Sequence, residues 1–315
     1  MSTNRLQAVS SNPVMKEFAQ GAATQSASPI AEFLAPTVNV ARPTGKIKIY
    51  SSKNRFRIPD TRRALGGRAT EIGYDVSDTT YDLEPHAIDY PVDKLEQLAQ
   101  EDLEDVFKEA AVECADIGNL SHEVHVVSSA LEAAGPGEPA DWDSKTDPVA
   151  IIDRATLDVR KAAKMGSLID IRIAMGAEMW LFLKNHPRIK GNFVVGNAKA
   201  ANTTTPTPDA FGQLIMGSPE VQVSFMIFDD AAEGLPEDIK FVLDSSLLVF
   251  AAKKVPTRRD PSFMKTLRLM GKWMVPGSYD RDDGRVGVVK MDWFGKAFVS
   301  NPNACRRFYL PEAAE

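Results

Sequence analysis

The sequence predicts an α+β protein of two lobes, and three features carry that expectation. Several short runs alternate apolar and polar residues with the period of half-buried strands, the stretch 92–117 keeps helical period, and a strand–helix–strand passage follows near residues 168–187. With 315 residues there is room for two ordinary domains, and 43% hydrophobic with 25% charged residues excludes disordered, collagen-like and coiled-coil classes. Lys and Arg number 37 against 43 Asp and Glu, a net charge of -6, which argues against a surface that grips nucleic acid throughout. Cys114 and Cys305 are too few for a disulfide framework and point to a reducing compartment. The start MSTNRLQAVSSNPVMKEF lacks an export signal, and no run approaches the ~20 apolar residues of a membrane helix, so a soluble chain with no membrane partner is expected.

Residues 1–45 are rich in Ala, Ser, Thr and Pro and hold scattered apolar side chains without a sustained period. They predict an arm with no core of its own, a strap laid on another surface such as a second subunit. From Lys46 the pattern becomes period two, through Ile47, Ile49, Phe56 and Ile58. A return run follows in Ile72, Tyr74, Val76, Thr79, Tyr81 and Leu83, and Pro59, Asp60, Gly66 and Gly67 make a turn-prone tip between the two. One long β-hairpin over 46–85 results. An isolated two-stranded hairpin is marginal in water, so it must lean on something.

Charge separates along this region. Residues 42–68 hold nine basic side chains (Arg42, Lys46, Lys48, Lys53, Arg55, Arg57, Arg62, Arg63, Arg68) against Asp60, whereas residues 69–89 hold six acids and no base. Cross-strand pairing neutralises much of this, but the tip keeps a surplus in Arg62, Arg63 and Arg68. Pro91 is expected to open a helix over 92–117 with Val92, Leu95, Leu103, Val106, Ala110 and Cys114 on one stripe and Gly118 as its stop. Its polar face carries Asp93, Glu96, Glu101, Asp102, Glu104, Asp105, Glu109, Glu113 and Asp116 against Lys94 and Lys108. A basic tip and an acidic helix in one chain offer copies of it a docking pair.

Asp147 and Pro148 form an N-cap and first-turn pair for a second helix ending near Gly166. Leu168–Met175 is the strand of the strand–helix–strand passage, its helix running from Ala177 through Trp180 and Leu183 to Asn185-His186-Pro187. Further strands are expected at 221–228, 239–243 and 247–251. An antiparallel pair follows at 263–275 and 286–293, turning through Pro276-Gly277 and Asp282-Asp283-Gly284, and a last strand lies at 306–310.

Chemistry-bearing constellations are sparse. No nucleophile motif, P-loop or dinucleotide fingerprint is present; His122 and His125 share a helix face without a third ligand in register, and Asp229-Asp230 and Asp280/Asp282/Asp283 are turn carboxylates lacking EF-hand spacing. No cofactor, metal or catalytic residue is therefore expected. The basic run Lys253, Lys254, Arg258, Arg259, Lys265, Arg268 and Lys272, offset by Asp260, has charge for phosphate backbones or for acidic neighbouring subunits.

Two phrases carry a resemblance. Tyr81-Asp82-Leu83-Glu84-Pro85-His86-Ala87-Ile88-Asp89-Tyr90-Pro91-Val92 is similar to an exit from an extended loop into a long helix, and Asp170-Ile171-Arg172-Ile173-Ala174-Met175-Gly176 followed by Trp180, Leu183 and His186-Pro187 is similar to a strand, glycine and helix in a central domain. In this order and spacing the chain resembles the major capsid proteins of tailed phages, the Hong Kong ninety-seven fold, shared with encapsulins and herpesvirus capsid floors. That resemblance implies an N-terminal arm (1–45), an extended β-hairpin loop (46–85), a peripheral domain with a long spine helix (86–147), an axial α/β domain (148–255) and return strands completing the peripheral domain (256–315). It implies a non-enzymatic major capsid protein whose hexamers and pentamers tile an icosahedral shell around double-stranded DNA, contacted without sequence specificity. The partners it implies are the chain itself, a separate scaffolding protein, a portal and a cement protein. The location is the virion capsid, with host cytoplasm during assembly. An encapsulin-like compartment and an α/β enzyme are the alternatives. The expected intersubunit residues are Arg55, Arg57, Arg62, Arg63 and Arg68 of one copy against Glu101, Asp102, Glu104, Asp105 and Glu109 of the next.

Overall fold

The computed structural model describes residues 29–50, 58, 61–63, 65, 67–68, 76–93, 103–164, 169–192, 206–232, 234–257, 260–281 and 284–311. In chain order the elements are α1 (Pro29–Leu34), β1 (Thr37–Val40), β2 (Thr44–Tyr50), β3 (Val76–Asp82), β4 (Glu84–Asp93), α2 (Leu103–Ala134), β5 (Glu138–Pro139), α3 (Pro148–Ala163), β6 (Asp170–Gly176), α4 (Ala177–Asn185), α5 (Pro187–Asn192), α6 (Pro208–Leu214), β7 (Glu220–Ser224), β8 (Ile227–Asp229), β9 (Ile239–Phe241), β10 (Ser246–Ala252), β11 (Met264–Leu269), β12 (Val275–Asp280), β13 (Val286–Val299) and β14 (Cys305–Tyr309).

Two five-stranded sheets organise these elements. In the first, β13 is the axis: β4 runs antiparallel to it from Val286↔Asp93 to Gly295↔Glu84, and β12 and β11 pair with successive stretches of it. The second sheet has the order β5-β14-β10-β6-β7, with β10 buried along its whole length. A strand covered on both faces reads as a continuous apolar run, and Leu247-Leu248-Val249-Phe250-Ala251 is one. Helix α2 spans 32 residues, about 48 Å at 1.5 Å each, and packs on β4 and β13 of the first sheet and on β14 of the second.

Five expectations need correction. Pro91 and Val92 do not open the long helix; they pair with Val288 and Gly287 inside β4. Gly118 does not end it, because α2 continues to Ala134. There the glycine is a packing residue: a Cβ would lie 3.1 Å from the Met274 side chain and 3.5 Å from Trp293. The strap expected over 1–45 is, at 29–40, part of this chain's own core, with Ile30, Phe33 and Leu34 buried in the main cluster and β1 parallel to β11. Finally, β14 completes the second sheet rather than the first, antiparallel to β10. Pro276-Gly277 likewise lies within β12 and makes no turn: β11 and β12 run the same way along successive stretches of β13, and the chain reverses only between β12 and β13, where the Arg281 amide donates to the Val286 carbonyl.

Three apolar clusters result. The main one fills the second sheet and its helices; a second lies beneath the first half of α2 (Ala110, Ala111, Cys114, Ala115 against Val92, Val289, Met291, Trp293); a third joins Val38, Val40, Ile47, Tyr81, Leu83 and Leu267.

Candidate assembly interface

The expected hairpin has its base in β2 and β3, antiparallel from Thr44↔Asp82 to Tyr50↔Val76. Gly45 lies opposite Tyr81, whose ring covers it so closely that a Cβ would come within 2.7–2.9 Å of ring atoms. The Tyr81 hydroxyl donates to the Arg42 carbonyl at 3.4 Å. This end of the hairpin is thereby anchored in the third cluster.

Beyond it, Arg62, Arg63 and Arg68 are exposed, as are Ile58 and Leu65, at 95% and 106% of full exposure. Arg55 and Arg57 lie outside the described residues, as do Glu101 and Asp102. Glu104 and Asp105 fall in the first turn of α2 as described, and Glu109 is exposed. Glu113, Asp116 and Ile117 are exposed as well, so i, i+4, i+7 and i+8 make one acidic and partly apolar stripe.

The basic run at 253–272 is not a uniform outer surface. Lys265 is buried, its ammonium 3.2 Å from an Asp260 carboxylate oxygen and donating to the Asp260 carbonyl at 2.6 Å. Burial pushes Asp260 up, but the Ser262 hydroxyl, the Lys265 charge and the Thr257 and Ser262 amides outweigh it, leaving its carboxyl below the usual range. Burial lowers Lys265, and Asp260 offsets this only in part. Arg268 lies 3.8 Å over the Trp273 ring and pairs with Glu32 at 3.2 Å, so it ties α1 to β11. Two of the seven cations are thus structural.

The histidines are structural too. His86 stacks on Trp293, His122 sits edge-on to Trp273, and with His125 and Lys296 they line a cavity of about 80 Å³. Burial pushes His122 down to about 3, keeping the ring neutral. Among the described residues no group of three His, Cys, Asp or Glu side chains is placed to hold a metal. The His186 ring donates from Nε2 to the Asp143 carbonyl at 2.9 Å and accepts the Arg188 amide on Nδ1, pinning the α4–α5 corner.

Sequence reasoning missed two features. Glu123 is fully buried in α2 with neither carboxylate oxygen hydrogen-bonded, and burial pushes its pKa up to about 7. The β8–β9 hairpin exposes a cluster of large apolar side chains. Its signal was present: Phe225, Met226, Ile227 and Phe228 are apolar at both parities, the mark of a strand covered on both faces.

No family model matches the chain, and no curated protein matches it. Solved structures do. A phage-related protein from Bordetella bronchiseptica is 17% identical with a TM-score of 0.68, covering 95% of this chain and 96% of that one. The capsid of the cyanophage P-SCSP1u is 12% identical with a TM-score of 0.58, covering 91% and 89%. The SrpI encapsulin of Synechococcus elongatus is 10% identical with a TM-score of 0.55, covering 90% and 88%. The fold is therefore that of the shell-forming proteins shared by phages and encapsulins. More narrowly, it is the mixed α+β capsid fold of the Hong Kong ninety-seven type, followed over nearly the whole chain.

Proposed function

We propose that the chain is a major capsid protein that assembles into hexamers and pentamers of an icosahedral shell enclosing double-stranded DNA. The observation that carries this reading is the exposed tip: arginines and two fully exposed aliphatic side chains on a hairpin, in a chain whose long helix presents an acidic stripe with Ile117. Copies of such a chain are complementary to one another, and many modest contacts of this kind sum to a stable shell. In this reading Arg55, Arg57, Arg62, Arg63 and Arg68 of one copy meet Glu101, Asp102, Glu104, Asp105 and Glu109 of the next, with Glu113 extending the seat.

The division proposed is an extended loop over 46–85, a peripheral part built on β4, α2 and β11–β13, and an axial part from α3 to β10 joined by β14. A separate scaffolding protein, a portal and a cement protein are the further partners. The location is the virion, with assembly in the host cytoplasm, and the chain performs no catalysis.

Electron microscopy of the purified chain tests this, with Arg62→Glu/Arg63→Glu/Arg68→Glu as the variant. Closed shells from the wild type, and their loss or a marked shift in salt dependence in the variant, are expected. A wild-type monomer excludes shell formation, normal shells from the variant exclude the charge pairing, and a protein cargo in place of DNA assigns an encapsulin-like compartment.

A further inference from the structure

The hairpin β8–β9 is apolar on both faces but buried on one. Its register sets Ile227 opposite Phe241 and Asp229 opposite Ile239, so Ile227, Phe241 and Ile239 share a face. Phe225, two residues before Ile227, continues it, and Leu235 lies in the connecting turn; these five side chains are between 37% and 66% exposed. On the other parity Met226 and Phe228 pack against the main core. A contiguous exposed apolar face of this kind on a folded chain marks a contact surface.

Charge selects the occupant. Residues 225–241 hold Asp229, Asp230, Glu233, Glu237 and Asp238 against Lys240 alone, and Lys240 is already held by Asp230 at 2.7 Å and Asp238 at 2.8 Å. Two such hairpins face to face would oppose like charges. The complement is on α3, whose outward stripe at i, i+3, i+7 and i+10 is Arg154, Leu157, Lys161 and the adjoining Lys164; Lys161 lies 3.9 Å from Asp158, and Leu157, exposed at 40%, sits beside Arg154 and Lys161. An apolar centre with a basic rim matches an apolar centre with an acidic rim.

We propose that the β8–β9 hairpin of one copy seats on the outward stripe of α3 of a second copy. The inference deepens the shell reading and rests on it. The two patches lie on different parts of the fold, the hairpin beyond the edge strand β7 and the stripe on the helix that packs over β10. Such a contact is head-to-tail, and repeated copies close into a ring or extend as a filament.

The test uses the full chain, with assembly followed by light scattering and electron microscopy and folding by circular dichroism. Ile227→Ser/Phe241→Ser is expected to fold as wild type and to need at least tenfold more protein to assemble. Glu237→Lys and Lys161→Glu should each weaken assembly, and together restore it. If the wild type assembles and Ile227→Ser/Phe241→Ser assembles at the same concentration, the hairpin is not a contact surface. If the single charge variants weaken assembly but the pair does not restore it, α3 is not the seat. A wild type that stays monomeric overturns the shell reading itself.

Discussion

Glu123→Gln is expected to make the subunit more stable at alkaline pH and no more stable at acid pH. The buried stripe of α2 runs Ala110, Ala111, Cys114 and Ala115 into the cluster beneath its first half, and Val126, Val127 and Ala130 into the main core. Asn119 and Glu123 are the buried polar residues between those two sets, so Glu123 sits where the cores meet. Burial alone raises its pKa, from 4.5 to about 7. The folded state therefore holds a proton that the unfolded chain releases, and the associated stability is complete below about pH 4.5 and lost as pH rises through 7. At about 1.4 kcal/mol per pH unit over the 2.5 units between the two values, the loss is about 3.5 kcal/mol, most of it in place by pH 7. Urea titrations of unassembled subunits, kept below the assembly concentration, measure it. Wild type and Glu123→Gln should coincide near pH 4.5, separate up to about pH 7 and keep a constant gap above it. Parallel curves from pH 4.5 to 8.5 would refute the reasoning, since they require a partner for the carboxylate or water at the junction.

Two further substitutions test the packing. Lys265→Met strands Asp260 in the core without its cation and should cost about 3–5 kcal/mol, whereas Lys265→Met with Asp260→Asn should cost less than Lys265→Met alone; thermal unfolding of the three proteins compares them. Gly176→Ala should abolish soluble expression, because the added Cβ would fall 1.6 Å from the Asp244 carbonyl oxygen and 2.2 Å from that of Leu243; a folded variant with unchanged melting behaviour would show that the α4 entry and the 243–244 backbone can separate.

The hairpin opposes the strand to the acidic return in the pairing the period-two runs predict, and its tip leaves Arg62, Arg63 and Arg68 at the surface. The same segregation of charge misled at 253–272, where a row of basic letters conceals the buried Lys265 and the stacked Arg268. A cation's letter is the same in water or in a core. Only the neighbour that meets it, Asp260 or Trp273, distinguishes the two, and neither lies at a spacing that marks it as a partner.

What the sequence determined by itself was local. Asp147 caps α3 through the Val149 amide with Pro148 in the first turn, as the two residue types require; alternation placed β2 and β3, and short apolar runs placed β6 and β10, within a few residues, because strand patterns depend on near neighbours. The tertiary structure decided what depends on who fills the space. Gly118 looks like a helix stop until Met274 and Trp293 occupy the room its missing side chain leaves, and Pro91 looks like a helix start until β13 pairs alongside it. The extent of α2, the placement of β14 in the second sheet and the burial of Glu123 all follow from contacts between residues far apart in the chain, which no local period encodes.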